Sequence, residues 1–214
     1  AISPDGKEAI TCSGWSDPYV RFWDTTTGKP TRKIHGHSDS LYQVAYLPGG
    51  KAVAYAGLWS DDTDIALWDL AQMKVVQKLK GHLHGAYALA VSDDGKRLLS
   101  IGAAGSPNDA IIWDVGTGER LAQHNNVGNN VRRRVAFLPD GQTVAIWNHD
   151  KIRLWDWRSN RERQFKMATT DMDVTSDGLL IAVMDDLHAK LIDIATGQEI
   201  WRVAVPKGSG EGPT

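Results

Sequence analysis

An all-β propeller of four-stranded antiparallel blades, about five in this chain with the first incomplete, is the fold this sequence predicts. Two observations predict it. The first is a recurring dipeptide: Trp23-Asp24, Trp68-Asp69, Trp113-Asp114, Trp155-Asp156 and a degenerate Ile192-Asp193, at steps of 45, 45, 42 and 37 residues. A period of about 40–45 residues carrying Trp-Asp is the signature of one blade. The second is a turn that keeps step with it: Ser3-Pro4-Asp5-Gly6, Leu47-Pro48-Gly49-Gly50, Ser92-Asp93-Asp94-Gly95, Leu138-Pro139-Asp140-Gly141 and Thr175-Ser176-Asp177-Gly178.

Each period justifies its own elements. Proline presets the first turn dihedral, and Asp and Gly tolerate the bends that follow. β-rich runs flank the turn, as Tyr42 to Leu47 and Ala52 to Leu58 do in the second period, and this reads as a hairpin. A second turn follows each Trp-Asp at Gly28, Gly118, Asn160 and Gly197, residue types that accept positive φ; Met73 departs from this rule. Outer strands at Lys74 to Lys80 and Arg161 to Lys166 alternate polar with apolar, and their charges blunt an open sheet edge. The blades divide as 1–37, 38–82, 83–128, 129–168 and 169–205, with a Gly-rich tail or linker over 206–214.

The first blade has only Ala1 to Ser3 for its inner strand. The expectation is a partial ring: a fragment of a longer protein, or an arc completed by another copy. A blade face left open exposes on the order of 500 Å² of apolar surface, worth about 12 kcal/mol at about 25 cal/mol/Å².

Composition sets outer bounds. The 214 residues carry a net charge of −2 and are 42% hydrophobic, an ordinary globular balance that gives no reason to expect nucleic acid. No apolar run approaches the length of a membrane span, and no signal segment is visible. The single cysteine, Cys12, cannot form an internal disulfide and fits a reducing, cytoplasmic setting.

Gly36-His37 and Gly81-His82 each precede a Trp-Asp at the same interval. Gly-His, then Trp-Asp, with alternating strands between, resembles the WD40-repeat family over essentially the whole chain. The Pro-Asp-Gly turns and Thr-Gly loops look like the WD40 arrays of bacteria, which are often appended to signalling enzymes. The resemblance implies a stiff ring that binds proteins or peptides. It also implies one hydrogen-bonded set per blade, in which a hydroxyl accepts the Trp indole N–H and a His links that hydroxyl to an Asp. Mapped onto this sequence, the first blade offers Ser13, Asp17 and Trp23. The second offers His37, Asp62 and Trp68, with Leu58 or Ala56 where the hydroxyl belongs. The third offers His82, Ser100 and Trp113, with Asp109 in an interrupted register. The fourth keeps Asp150 and Trp155, and the fifth has Ile192 in place of Trp.

Trp15, Trp59 and Trp147 stand 8, 9 and 8 residues before the Trp of their blades, where the second strand enters the loop to the third. Two readings stand: an aromatic patch on one rim that grips a partner, or packing between blades. Arg132 and Arg134 open an inner strand, and alternation sends Arg133 to the opposite face. They suit an acidic partner or a solvated loop.

The expected function is a non-catalytic scaffold for a protein or peptide partner, part of a larger signalling or regulatory protein, with no cofactor and no metal. The first alternative is a propeller enzyme such as a quinone-dependent dehydrogenase fragment, because Leu191 to Trp201 resembles the tryptophan-docking repeat of that family. Here only the last blade carries the terminal Trp. The inner strands offer chiefly Val44, Leu89, Val91, Val135 and Phe137 rather than an acid–base cluster. The second is a purely structural self-assembly module, a homo-oligomer completing the ring.

Overall fold

The computed structural model describes residues 1–13, 17–36, 41–50, 52–57, 63–102, 108–128, 131–148, 151–166, 171–175, 177, 180–184 and 188–204. The expected linker at 206–214 lies outside them. The described residues contain strands and turns and no helix.

Five sheets follow one another along the chain, each an antiparallel meander in sequence order. The first comprises β1 (Glu8–Cys12), β2 (Tyr19–Asp24) and β3 (Pro30–His35), with an isolated Ile2–Ala9 bridge beside β1. The second comprises β4 (Leu41–Tyr46), β5 (Ala52–Gly57), β6 (Ile65–Asp69) and β7 (Lys74–Leu79). The third comprises β8 (Ala86–Val91), β9 (Arg97–Gly102), β10 (Ala110–Asp114) and β11 (Arg120–His124). The fourth comprises β12 (Val131–Phe137), β13 (Thr143–Asn148), β14 (Lys151–Asp156) and β15 (Arg161–Lys166). The fifth comprises β16 (Asp171–Val174), β17 (Leu180–Met184), β18 (His188–Asp193) and β19 (Glu199–Ala204). The innermost strands adjoin in succession, β4 beside β8, β8 beside β12 and β12 beside β16. That is the blade arrangement of a β-propeller.

Both turns of the repeat are built from the residues that mark them. Gly6, Gly50, Gly95 and Gly141 stand at positive φ and donate their N–H to the carbonyls of Ser3, Leu47, Ser92 and Leu138, closing the first hairpin. In the second, the Asp of each Trp-Asp receives backbone N–H groups two or three residues on. Asp114 accepts from Gly116 (2.9 Å) and Thr117 (3.0 Å), and Asp156 from Arg158 and Ser159 (both 3.0 Å). These bonds hold the carboxyls of Asp24, Asp69, Asp114 and Asp156 below the usual carboxylate range, Asp156 at about 2, and at Asp193 the Thr196 hydroxyl leads and its backbone N–H adds to it. Met73 takes φ +52° at the position where Gly28, Gly118, Asn160 and Gly197 also stand at positive φ. The sequence rule breaks there but the backbone rule does not, because the Asp69 turn imposes the conformation on a residue that adopts it at a cost.

The core lies between sheets, not within them. Four clusters fill the four successive sheet–sheet gaps, and side chains sort between them with period two. In β10, Ile111 and Trp113 face the second sheet while Ala110 and Ile112 face the fourth. In β14, Trp155 faces the third sheet while Ile152 and Leu154 face the fifth. The second, third and fourth sheets are thus apolar on both faces, which is why their middle strands read as near-continuous hydrophobic runs.

Candidate functional site

The third sheet holds the most connected polar group. Trp113 donates its indole N–H to Ser100 Oγ at 2.7 Å. Ser100 Oγ lies 2.7 Å from His82 Nε2, and His82 Nδ1 lies 2.8 Å from Asp109 Oδ1. A ring proton on Nδ1 satisfies every member, with the serine O–H donating to Nε2. Gln123 Nε2 donates to the other Asp109 oxygen at 2.9 Å, and Arg120 Nη1 donates to Gln123 at 2.6 Å. Ser100 is fully buried, Trp113 is 1% exposed and His82 6%. Buried networks of this kind fix geometry when all members are paired.

Two glycines sit close against this set. A Cβ on Gly102 would run into Asp109 Oδ1 and stand 2.7 Å from His82 Nδ1. A Cβ on Gly81 would run into Arg120 and stand 3.0 Å from the Trp113 ring. At Gly81 the Arg120 end can swing aside, so the contact that limits a side chain there is the Trp113 ring. The interrupted register at Asp109 does not remove it from the set: β10 starts at Ala110, and Asp109 sits just before it, opposite His82.

The other sheets solve the tryptophan differently. In the first, Trp23 donates to Thr11 Oγ1 at 2.8 Å, not to Ser13. Pairing sets this: Ala9 stands opposite Trp23 as Leu98 stands opposite Trp113, so the hydroxyl position is Thr11, the counterpart of Ser100. Ser13 lies beyond the end of β1 and accepts the Leu41 N–H on its backbone carbonyl. Asp17 is ion-paired to Arg21. In the second sheet the same count gives Tyr55 rather than Ala56 or Leu58, since Val53 stands opposite Trp68. The buried Trp68 Nε1 has no hydrogen-bond partner among the described residues. In the fourth, Ile146 takes the hydroxyl position, and Trp155 turns its indole N–H to Asn160 Oδ1 at 3.1 Å. Trp155 is nevertheless 1% exposed. An imidazole still meets its ring edge-on, at 5.3 Å and 84°, but it is His124 from the third sheet's outer strand. His124 Nε2 lies 2.7 Å from Glu162, which also binds Arg153 at 2.7 Å.

The family comparison bears on this geometry. Residues 28–69 and 73–114 each match the family model described as "WD domain, G-beta repeat". These two stretches are WD40 repeats. Both matched WD40 stretches end on a Trp-Asp pair, and the second contains the whole His82–Ser100–Asp109–Trp113 set. No curated protein matches the chain.

The expected partner-facing residues divide into three groups. Trp147 is 1% exposed and sits with Ala145 in the cluster between the fourth and fifth sheets. Its position on β13 faces the neighbouring blade, as the reading of packing between blades expects. Arg132 and Arg134 lie on β12, where Val131 pairs Asn148 and Val135 pairs Ile146. Three residues therefore stand against one, and this bulge cancels the strict alternation expected across Arg133. Trp15, Trp59, His37, Asp62 and Asp150 lie outside the described residues. Sequence reasoning passed over Leu83, next to His82 in the connection entering β8 and 71% exposed. It also missed Thr11, Asn160 and the His124–Glu162–Arg153 group, which become visible only once pairing and sheet order are known. Among the described residues no three His, Cys, Asp or Glu side chains converge as a metal site.

Proposed function

We propose that this WD40 protein is a non-catalytic scaffold that binds a protein or peptide as part of a larger signalling or regulatory protein. WD40 repeats generally mediate protein–protein interaction. The observation that carries the non-catalytic reading is the state of Ser100. Its links to His82 and Asp109 have the connectivity of a nucleophilic triad. A nucleophile, however, needs a free approach to its oxygen and a base that can take its proton. Ser100 Oγ is sealed in the core and already accepts the Trp113 indole N–H. The set that could perform acyl transfer is spent on holding a tryptophan between two sheets.

Selection of a displayed peptide library against the folded chain should enrich a discrete consensus that binds the free protein with at least micromolar affinity. A serine-reactive fluorophosphonate should leave Ser100 unlabelled. Labelling at Ser100, or a library that enriches nothing on folded protein, would overturn the reading.

A further inference from the structure

Each of the first four sheets ends on an outer strand, β3, β7, β11 or β15, that pairs with one neighbour only among the described residues. Its second edge offers a row of backbone N–H and C=O groups. The charge along these edges is one-sided. In the four strands every exposed ionic side chain is a Lys or Arg: two in β3, two in β7, one in β11 and three in β15. Their one acid, Glu162, is half-buried against His124 and Arg153. The whole chain has a net charge of −2, so cations are gathered at the blade edges rather than spread evenly.

The most basic of these edges is β15, in the interior of the chain. Arg161, Arg163 and Phe165 share one of its faces, opposite Asp156, Leu154 and Ile152, on the side of the fifth sheet. Arg163 gives one N–H to the Ala195 carbonyl and lies 5.4 Å over the Phe165 ring. Arg161 makes no ion pair among the described residues. Beside this face is a cavity of about 430 Å³, lined by Leu138, Leu154 and Ile194 together with both arginines. In the preceding gap the larger Trp157 stands where Ile194 stands here. Asp140, Asp156 and Asp193 also border the cavity, but they accept N–H groups of their own turns. The groups left to meet a ligand are guanidinium donors, and a ligand that meets them is an anion.

We propose, building on the peptide-scaffold reading above, that an acidic peptide segment adds to the free edge of β15 as a fifth, antiparallel strand of the fourth sheet. Main-chain hydrogen bonds hold the segment, and its alternate side chains select it. On the face toward the fifth sheet an apolar residue lies beside Phe165, and carboxylates at the next two alternate positions meet Arg163 and Arg161. The cavity gives those side chains room. Antiparallel addition continues the pairing of β14 with β15. The edge charge then has two effects: it repels the like-charged edge of another copy, and it admits an acidic strand.

The probe is a fluorescein-labelled Thr-Phe-Thr-Glu-Val-Glu-Thr peptide, read by anisotropy against the intact chain. It should bind with a Kd below about 100 μM, and more weakly as salt rises. Arg161→Glu should weaken binding at least tenfold, with an unchanged melting curve as the check on folding. Lys in place of both Glu residues of the peptide should abolish it. N-methyl groups on one alternate set of peptide residues should abolish binding and on the other set leave it, as edge pairing requires. Bound peptide should slow hydrogen exchange within β15. Binding that survives Arg161→Glu or both N-methyl sets overturns the proposal. So does protection in another outer strand instead, or a single-stranded oligonucleotide that competes as well as the peptide. A probe that does not bind, beside a library consensus that does, overturns it and leaves the scaffold reading standing; failure of both sinks the two together.

Discussion

Trp113 and Trp155 are equally buried and each meets an imidazole edge-on, but their indole N–H groups are held in different ways. Trp113 is held by a relay of Ser100, His82 and Asp109 drawn from a strand and two connections. Trp155 is held by Asn160, five residues on in the same hairpin. Asn160 also occupies the positive-φ position of that turn, at φ +54°. One residue thus does locally what three do across the third sheet. The difference teaches that blade stacking buries the ring whatever its polar partner. The relay adds something else: it ties the connection at His82 and the approach to β10 at Asp109 onto the sheet.

The largest test of that distinction is Ser100→Ala. It leaves the indole N–H and His82 Nε2 unpaired in a dry site, and should cost about 2–4 kcal/mol in urea unfolding. Hydrogen exchange should rise around residues 81–85, away from the substituted strand. If protection there is unchanged, the relay does not anchor that connection.

Asn160 supplies the second test, through a pair of variants. Asn160→Gly keeps the backbone conformation and removes the acceptor, costing about 1–2 kcal/mol; Asn160→Ala adds left-handed strain and should cost about 1 kcal/mol more. Equal losses would mean that the turn conformation contributes nothing beyond the indole bond.

Acid sharpens the comparison of turns. The Ser159 backbone N–H is the main cause of the low Asp156 value, helped by the Ser159 hydroxyl and Gln142. A carboxyl depressed in the folded chain contributes stability that is complete above its ordinary value of about 4. That contribution is lost as pH falls toward about 2. The urea midpoint should therefore drop between pH 4 and 2, and Asp156→Asn should drop less over that interval. A midpoint flat across it would show that the turn carboxylates do not report on folding.

The smallest expected effect is a gain. Met73 is 48% exposed at φ +52°, so Met73→Gly relieves strain at little cost in packing and should stabilise by about 1 kcal/mol.

How far the sequence alone reaches can be judged from these same residues. Trp-Asp and Pro-Asp-Gly mark the five sheets because tight turns admit few residue types. Cross-strand register is less visible. Ser13 and Thr11 are both hydroxyls in an apolar strand, and only the pairing of Ala9 with Trp23 selects Thr11. Trp147 has the type of a docking residue, and its burial follows from the fifth sheet lying against β13. Asn160 was legible as a turn residue but not as an acceptor, since that role depends on where the Trp155 ring edge falls. His124 meets Glu162 across 38 residues of chain, a distance no local pattern spans.

Because every apolar cluster is shared by two neighbours, no sheet here owns a complete interior. Removing one would strip a wall from the next, so loss of structure should travel from the rims of the stack inward, like a deck of cards shed from its ends. The middle sheet, walled on both sides and cross-braced by its imidazole relay, is then the last to let go.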